Sequence, residues 1–437
     1  MSPQLRPYQQ QLISDARDAM RHHRRICIVL PTGGGKSAIA GFIAAAALQR
    51  ARSVYVVAHR RRLIQQLTET MHRWGASGAL VQSVQSIRPD RMAPPDMLLV
   101  DECQHLVVGN QWGRLIEAWP DARLIGFTAT PTRLSGEGLG AGHGGYFEHL
   151  VLGPDAAWLT AQGFLALARV YSWPLSMAGV RTRCGDYDQQ QATQRMVAVM
   201  GDAVTEYQRL LSGQTAIANC CSVAHAEAVA EAFRAAGIPA AALTGHTSRQ
   251  QQDQLFADLT RGTLKVLAQC EMVSEGVDIP AVAGALMLRP TQSLVVWLQQ
   301  LGRALRPAPG KAQAIILDHA GNAHRPGLGL PTDPREWTLE GRKRRRSDPA
   351  ASVRSCPVCF CCVPALTAVC PECGHIWQTV TRKVELISGE LQELQRIERR
   401  RSVGRARSRE ELEAIRLERG YARGWTDRIL AARGGRR

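Results

Sequence analysis

The chain has 437 residues, 45% of them hydrophobic and 21% charged, with a formal net charge of +16. That length holds roughly three domains of about 150 residues each, and the apolar share is ordinary for a globular protein, which excludes a wholly disordered chain. The charge calls for a polyanionic partner, nucleic acid before an anionic membrane surface; residues 341–437 alone carry 22 Lys and Arg against 11 Asp and Glu, +11 of the total.

At the N-terminus, MSPQLRPYQQQL lacks the apolar core of a secretory signal. The longest apolar run, IAGFIAAAAL at 39–48, is too short for a bilayer and suits a buried helix. A soluble, cytoplasmic chain with no membrane partner is expected. Its twelve cysteines then read as thiols or metal ligands rather than disulfides.

From 26 to 130, strand-like runs alternate with helical patterns: ICIVL (26–30), SVYVVA (53–58), DMLLVD (96–101) and RLIGFTA (123–129). That alternation predicts a parallel α/β sheet. LSGEGLGAGHGG (134–145), with six glycines, reads as a mobile loop. A second α/β set follows in TAIANC (215–220), AAALTG (240–245), LKVLAQC (264–270), AGALML (283–288) and AQAIILD (312–318). RPGLGLPTDP (325–334) reads as a linker and GRKRRRSDP (341–349) as a charged hinge; Ser408 and Glu411 form a capping box before a helix that ends at Gly420.

LPTGGGKS (30–37) joins a strand to an apolar helix. Backbone amides through Thr32, Gly33, Gly34 and Gly35 would cradle phosphates at the helix N-terminus, with Lys36 on the β- and γ-phosphates and Ser37 on Mg²⁺. Leu30 stands where the strict pattern has glycine. In LLVDECQHL (98–106), Asp101 and Glu102 end an apolar run, where idle charge is costly. Beside a P-loop, Asp101 completes the Mg²⁺ site and Glu102 orients and deprotonates the attacking water.

An ordered series of motifs over about residues 5–320 resembles the superfamily 2 helicases. LRPYQ (5–9) looks like the adenine-reading segment, with Gln9 as base reader. AHRRRLIQQ (58–66) and VQSVQSI (81–87) resemble the segments that touch the nucleic-acid backbone, and GFTATPTR (126–133) the T-A-T motif. SEGVDIP (274–280) resembles the second-domain nucleotide motif, implying Gly276 and Asp278 near the ribose. QQLGRALRP (299–307) matches Q-x-x-G-R-x-x-R, so the resemblance gives Gln299, Arg303 and Arg306 water- and phosphate-facing roles. Such arginines stabilise charge on a transferring phosphoryl group. Gln104 departs from the His or Asp of related groups; with a donor and an acceptor it can still bridge to Thr128, Thr130 or Gln299 and couple nucleotide state to the track.

Cys356-x₂-Cys359 and Cys370-x₂-Cys373 have the spacing of a structural Cys₄ zinc site, with Cys361, Cys362 and His375 as possible substitute ligands. A thioredoxin-like redox role would need a βαβ context that is absent here. The basic runs RKRRR (342–346) and RRRSVGRARSR (399–409) read either as solvated faces or as a phosphate grip, and Trp377, Tyr421 and Trp425 as base-stacking groups or anchors of small cores.

The expected fold is therefore α/β: two tandem RecA-like domains with parallel sheets, then a Cys₄ zinc ribbon and a basic helical tail. Expected boundaries are 1–175 and 195–325 for the two domains, 326–350 for a basic linker, 351–380 for the ribbon and 381–437 for the tail. The resemblance narrows to DNA-repair helicases of the RadD and type III restriction-motor kind, bacterial or phage, through DECQH, TGHTSR and LRPTQS. It implies an ATP-hydrolysing helicase or translocase using ATP, Mg²⁺ and Zn²⁺, with nucleic acid as partner and DNA favoured over RNA. A duplex remodeller that leaves strands paired is the alternative, and a non-catalytic DNA-binding adaptor is opposed by the intact P-loop, acid pair and arginines. No protein partner is implied.

Overall fold

The computed structural model describes residues 3–58, 61–133, 136–183, 185–196, 200–270, 282–341, 353–377, 403, 406 and 408–434. The motif at 274–280 with Gly276 and Asp278, the basic run at 342–346, most of that at 399–409, and His59 and Arg60 lie outside these residues. The chain divides into two compact units, Met1–Ile376 and Trp377–Arg437.

The first sheet is built from α1 (Pro7–His22), β1 (Arg25–Val29), α2 (Lys36–Leu48), β2 (Val54–Ala58), α3 (Arg61–Arg73), β3 (Leu80–Ser83), β4 (Met97–Asp101), α4 (Gln111–Ala118), β5 (Arg123–Thr128) and β6 (His149–Leu152). Its order is β3-β2-β4-β5-β1-β6, with every pair parallel. The central strands are apolar on both faces because helices cover both, as parallel sheets require: Ile26, Cys27 and Ile28 of β1 are fully buried.

The second sheet comprises α5 (Ala156–Ala161), β7 (Leu167–Ser172), β8 (Thr182–Arg183), β9 (Asp186–Tyr187), α6 (Gln189–Met196), α7 (Met200–Leu210), β10 (Ala216–Asn219), α8 (Val223–Ala235), β11 (Ala240–Leu243), α9 (Arg249–Arg261), β12 (Val266–Gln269), β13 (Gly284–Met287), α10 (Leu294–Ala304) and β14 (Gln313–Asp318). Strands β8 and β9 form a hairpin; the rest order as β11-β12-β10-β13-β14-β7, again parallel. Strand β7 falls within the segment 1–175 expected in the first domain, yet it pairs along its whole length with β14, from Leu167 beside Gln313 to Ser172 beside Asp318. The second fold thus begins before residue 167.

Two segments expected to be loose are packed. In the glycine-rich stretch, Leu139, Tyr146 and Phe147 are buried, Gly140 N donates to Leu339 O at 2.9 Å, and Glu137 bridges Gly341. A β-carbon on Gly138 would overlap Leu339 O. The glycines there admit a second backbone rather than mobility. The stretch after β14 is likewise held: Leu328 is buried, Trp297 Nε1 donates to Gly329 O at 3.1 Å, and Trp337 packs against both hydrophobic clusters that flank the first sheet.

The cysteine island forms a hairpin, β15 (Val353–Ser355) with β16 (Cys362–Pro364), docked on the free edge of β7. Ser172 N donates to Phe360 O at 3.1 Å, Tyr171 bridges Cys361, and Val353 and Cys362 join the main hydrophobic core. An edge strand with open amides is thereby covered.

In the second unit, helix Arg409–Glu418 starts at a Ser408–Glu411 capping box, and Gly420 takes a left-handed φ of 65° just beyond it. Helix Trp425–Gly434 packs on it through buried Leu412 and Thr426, an Arg409–Asp427 ion pair and a Thr426–Glu413 hydrogen bond. Tyr421 and Trp425 lie against each other, ring centroids 4.8 Å apart.

Candidate nucleotide site between the two sheets

The P-loop turns at the carboxyl end of β1. Leu30, the departure from the glycine pattern, is fully buried in the core, and its amide continues the sheet by donating to Thr128 O at 3.0 Å. Gly33 and Gly35 both have φ of 88°, a conformation that other residues avoid. Gly35 is also sterically required, since a β-carbon there would overlap Gln9 Nε2. Buried Gln9 accepts from Arg6 N at 2.9 Å and donates to Gly34 O at 3.3 Å. Tyr8, which the motif does not single out although it adjoins Gln9, donates its hydroxyl to the same carbonyl at 2.7 Å. Lys36 heads α2 and donates to Leu30 O at 3.3 Å, and Ser37 follows it on the exposed side.

Asp101 ends β4, and Glu102 follows with a left-handed φ of 51°. A non-glycine residue in that region is strained and marks a site where position matters more than comfort. Gln104 is buried and donates to Glu102 Oε2 at 2.9 Å. Thr128 Oγ1 donates to Gln104 Oε1 at 2.7 Å and accepts from Thr130 N at 3.0 Å. Of the three partners open to Gln104, the structure brings it to Thr128; Gln299 stands elsewhere, on α10.

Gln299, Gly302 and Arg303 recur at three- and four-residue spacing, so they share one face of α10, and Arg306 follows just past its end. That face meets the P-loop. A β-carbon on Gly302 would overlap Thr32, and one on Gly33 would come within 3.7 Å of Arg306 Cγ. Gln299 and Arg303 are buried, and Gln299 Nε2 and Thr130 Oγ1 are buried polar atoms without a hydrogen-bond partner among the described residues. Burial works against the charge of Arg306, lowering its pKa. A buried guanidinium gains most from an anion placed against it. Glycine amides, a lysine, a carboxylate pair, two arginines and orphaned polar groups together fit a nucleoside triphosphate with Mg²⁺.

Two polar side chains meet across the folds at a second place: Arg249, heading α9, donates to Gln65 of α3 at 2.9 Å. Each belongs to a segment that stands out in the sequence, but their pairing depends on how the sheets face each other.

The four sulfurs of Cys356, Cys359, Cys370 and Cys373 lie within 4.8 Å of one another. Cys356–Cys373 and Cys359–Cys370 separations are 3.5 and 3.6 Å, close to the roughly 3.8 Å edge of a tetrahedron with Zn–S of about 2.3 Å. The donor set fits structural Zn²⁺. Cys362 points instead at His324 Nε2, 3.7 Å away, and Cys361 lies in the bridge to β7.

The family profile "Type III restriction enzyme, res subunit" matches residues 2–91, and "Helicase conserved C-terminal domain" matches residues 202–308. A 51.5 kDa protein of a Lactococcus phage is 31% identical over 354 residues, 79% of this chain and 76% of that protein. A Schizosaccharomyces pombe protein named for a mitochondrial ATP-dependent helicase, irc3, is 28% identical over 77% of this chain, which spans 60% of that protein's length. Among solved structures, a fragment described as an HsdR subunit of a type I restriction enzyme from Vibrio vulnificus YJ016 superposes with a TM-score of 0.58 at 19% identity, covering 76% of this chain and 68% of that one. The ATP-dependent Type ISP restriction-modification enzyme LlaBIII, solved bound to DNA, gives 0.51 at 16% identity, with 73% of this chain and 28% of that chain covered. These superpositions identify the two sheets as RecA-like helicase folds. Among the described residues, no helix is long and apolar enough to cross a membrane.

Proposed function

Because the chain belongs to the superfamily 2 helicases, ATP hydrolases that act on nucleic acid, we propose that it is a DNA-dependent motor whose ATP site lies between its two RecA-like folds. The contact of Gly302 with Thr32 carries this reading, because it sets the face of α10 that holds Arg303 against the P-loop, with Arg306 just past the helix end.

In this account the amides of Thr32, Gly33, Gly34 and Gly35 and the Lys36 side chain hold the triphosphate, Lys36 leaving Leu30 O to do so. Asp101 and Ser37 would hold Mg²⁺, which when bound would neutralise charge on the phosphate oxygens. Glu102 accepts a proton from the water that attacks the γ-phosphorus, while Arg303 and Arg306 stabilise the negative charge on the departing ADP and the transferring group. Gln104 ties Glu102 to the T-A-T segment through Thr128, so a shift of the base is felt where the first fold meets its track. Gln9 reads adenine; the ribose role that the resemblance gives Gly276 and Asp278 falls outside the described residues. DNA is favoured by the net charge of +16 and by the restriction-enzyme likeness.

The experiment is ATP turnover by the full chain with single-stranded, duplex and forked DNA and with RNA, alongside strand separation on the fork. Stimulation by DNA with unwinding is expected. Stimulation by duplex without unwinding would establish the remodeller reading, stimulation by RNA alone would overturn DNA as the track, and no turnover would overturn the motor.

A further inference from the structure

The first sheet carries a second cavity at the edge remote from the P-loop. Where β4 and β5 begin, a groove of about 880 Å³ opens between α1, α2 and the turns at 94–97 and 118–123. Its floor is apolar, with Met20, Ala47, Trp119 and Ile125 buried and Phe42 and Ile43 partly so. Its rim is cationic: Arg17, Arg21, Arg50, Arg52 and Arg123 line it and all five are exposed. The two acids there, Asp96 and Asp121, are engaged with Arg52 at 3.0 Å and Arg24 at 2.7 Å. Arg17 and Arg50 form no ion pair among the described residues.

An apolar floor under unspent positive charge selects the occupant. A single-stranded track would stack its bases on open aromatic faces beside the cations, but Trp119 is buried edge-on against Tyr55 and Phe42 stands edge-on to Trp74. Side-chain knobs fit such a floor, and carboxylates fit the rim. We propose that this groove docks an acidic amphipathic segment of a partner protein, its apolar residues on Phe42, Ile43 and Met20 and its carboxylates on Arg17 and Arg50. Strand β4 starts at Met97 in the groove and ends at Asp101, roughly 13 Å away at the rise of a strand. A partner would therefore be carried by the motor without covering its nucleotide.

The test selects displayed peptides of about 16 residues, roughly 24 Å of helix, on the full-length protein and repeats binding with the exposed double variant Arg17→Glu, Arg50→Glu. Enriched peptides should combine Asp or Glu with Leu, Ile or Phe, crosslink to α1 and α2, and bind the double variant about tenfold more weakly or worse. ATP turnover of that variant should match the native protein, which also certifies its fold. No enrichment, equal binding by the double variant, or displacement of the peptides by a DNA oligonucleotide would each overturn the proposal. Since the readout is peptide binding, its failure leaves the ATPase reading standing.

Discussion

Thr128 donates its hydroxyl to Gln104 Oε1 at 2.7 Å, deep in the first fold where neither side chain can turn to water. The amide end of Gln104 is then committed to Glu102. A residue that cannot titrate near neutrality thus joins the proposed base to the T-A-T segment.

Gln104→Ala should leave basal ATP turnover within about twofold but remove most of its stimulation by DNA. It removes one acceptor of the Thr128 hydroxyl, which keeps Thr130 O at 3.0 Å, so only about 0.5–1.5 kcal/mol of stability should be lost as well. Gln104→His, with one ring nitrogen to donate and one to accept, should restore the stimulation. Equal stimulation in Gln104→Ala and native protein would remove the coupling role.

Zinc removal should reach beyond the ribbon. Tyr171 donates to Glu372 at 2.9 Å and Arg169 pairs with it at 3.5 Å, so the ribbon and β7 hold each other. Cys370→Ser with Cys373→Ser should release about one zinc per chain, as a four-thiolate site requires, and raise amide exchange across residues 167–172. Unchanged exchange there would show that the sheet edge stands without the ribbon.

The second fold should be the acid-sensitive one. Burial pushes His225 and His319 down to about 4, against about 6.5 in an unfolded chain. Both stay neutral in the fold, so their contribution is complete above about 6.5 and lost as pH falls toward 4, the unfolded chain binding the protons first. Urea midpoints should drop across that window, with exchange rising first in α8 and the end of β14. His319→Gln should flatten the dependence; an identical slope would assign it to other groups.

The division of the chain moves the informative truncation to Ile376, since the ribbon belongs with the motor folds. Residues 377–437 carry 16 Lys and Arg against 9 Asp and Glu, +7 of the +16. Deleting them should preserve unstimulated turnover and lower the log–log salt slope of DNA binding by about 0.7–0.9 for each phosphate the tail had neutralised. An unchanged slope would return those arginines to a solvated surface.

Much of this is legible in the sequence because it is local. Apolar runs mark the central strands to within a residue or two, and Gly-Lys-Ser between a strand and a helix marks the phosphate turn. What escapes is non-local. Strand β7 is defined by its pairing with β14, more than 140 residues later, and nothing in LARVYS announces that partner. The glycines at 138 and 140 suggest freedom in the sequence, whereas they make room for the backbone at Leu339. Leu30 looks like a flaw in the phosphate motif, yet it is a core residue whose amide extends β1. Tyr8 is hidden by its neighbour Gln9, though both reach the same Gly34 carbonyl.

The central claim is that Glu102, held in a left-handed turn beside Asp101, is the base for ATP hydrolysis. Its most direct test is DNA-stimulated ATP turnover by Glu102→Gln, measured together with ATP binding. The substitution keeps size and removes the proton acceptor, so binding should persist while turnover falls by about 10² or more. Turnover near the native rate, with ATP bound as tightly, would contradict the account.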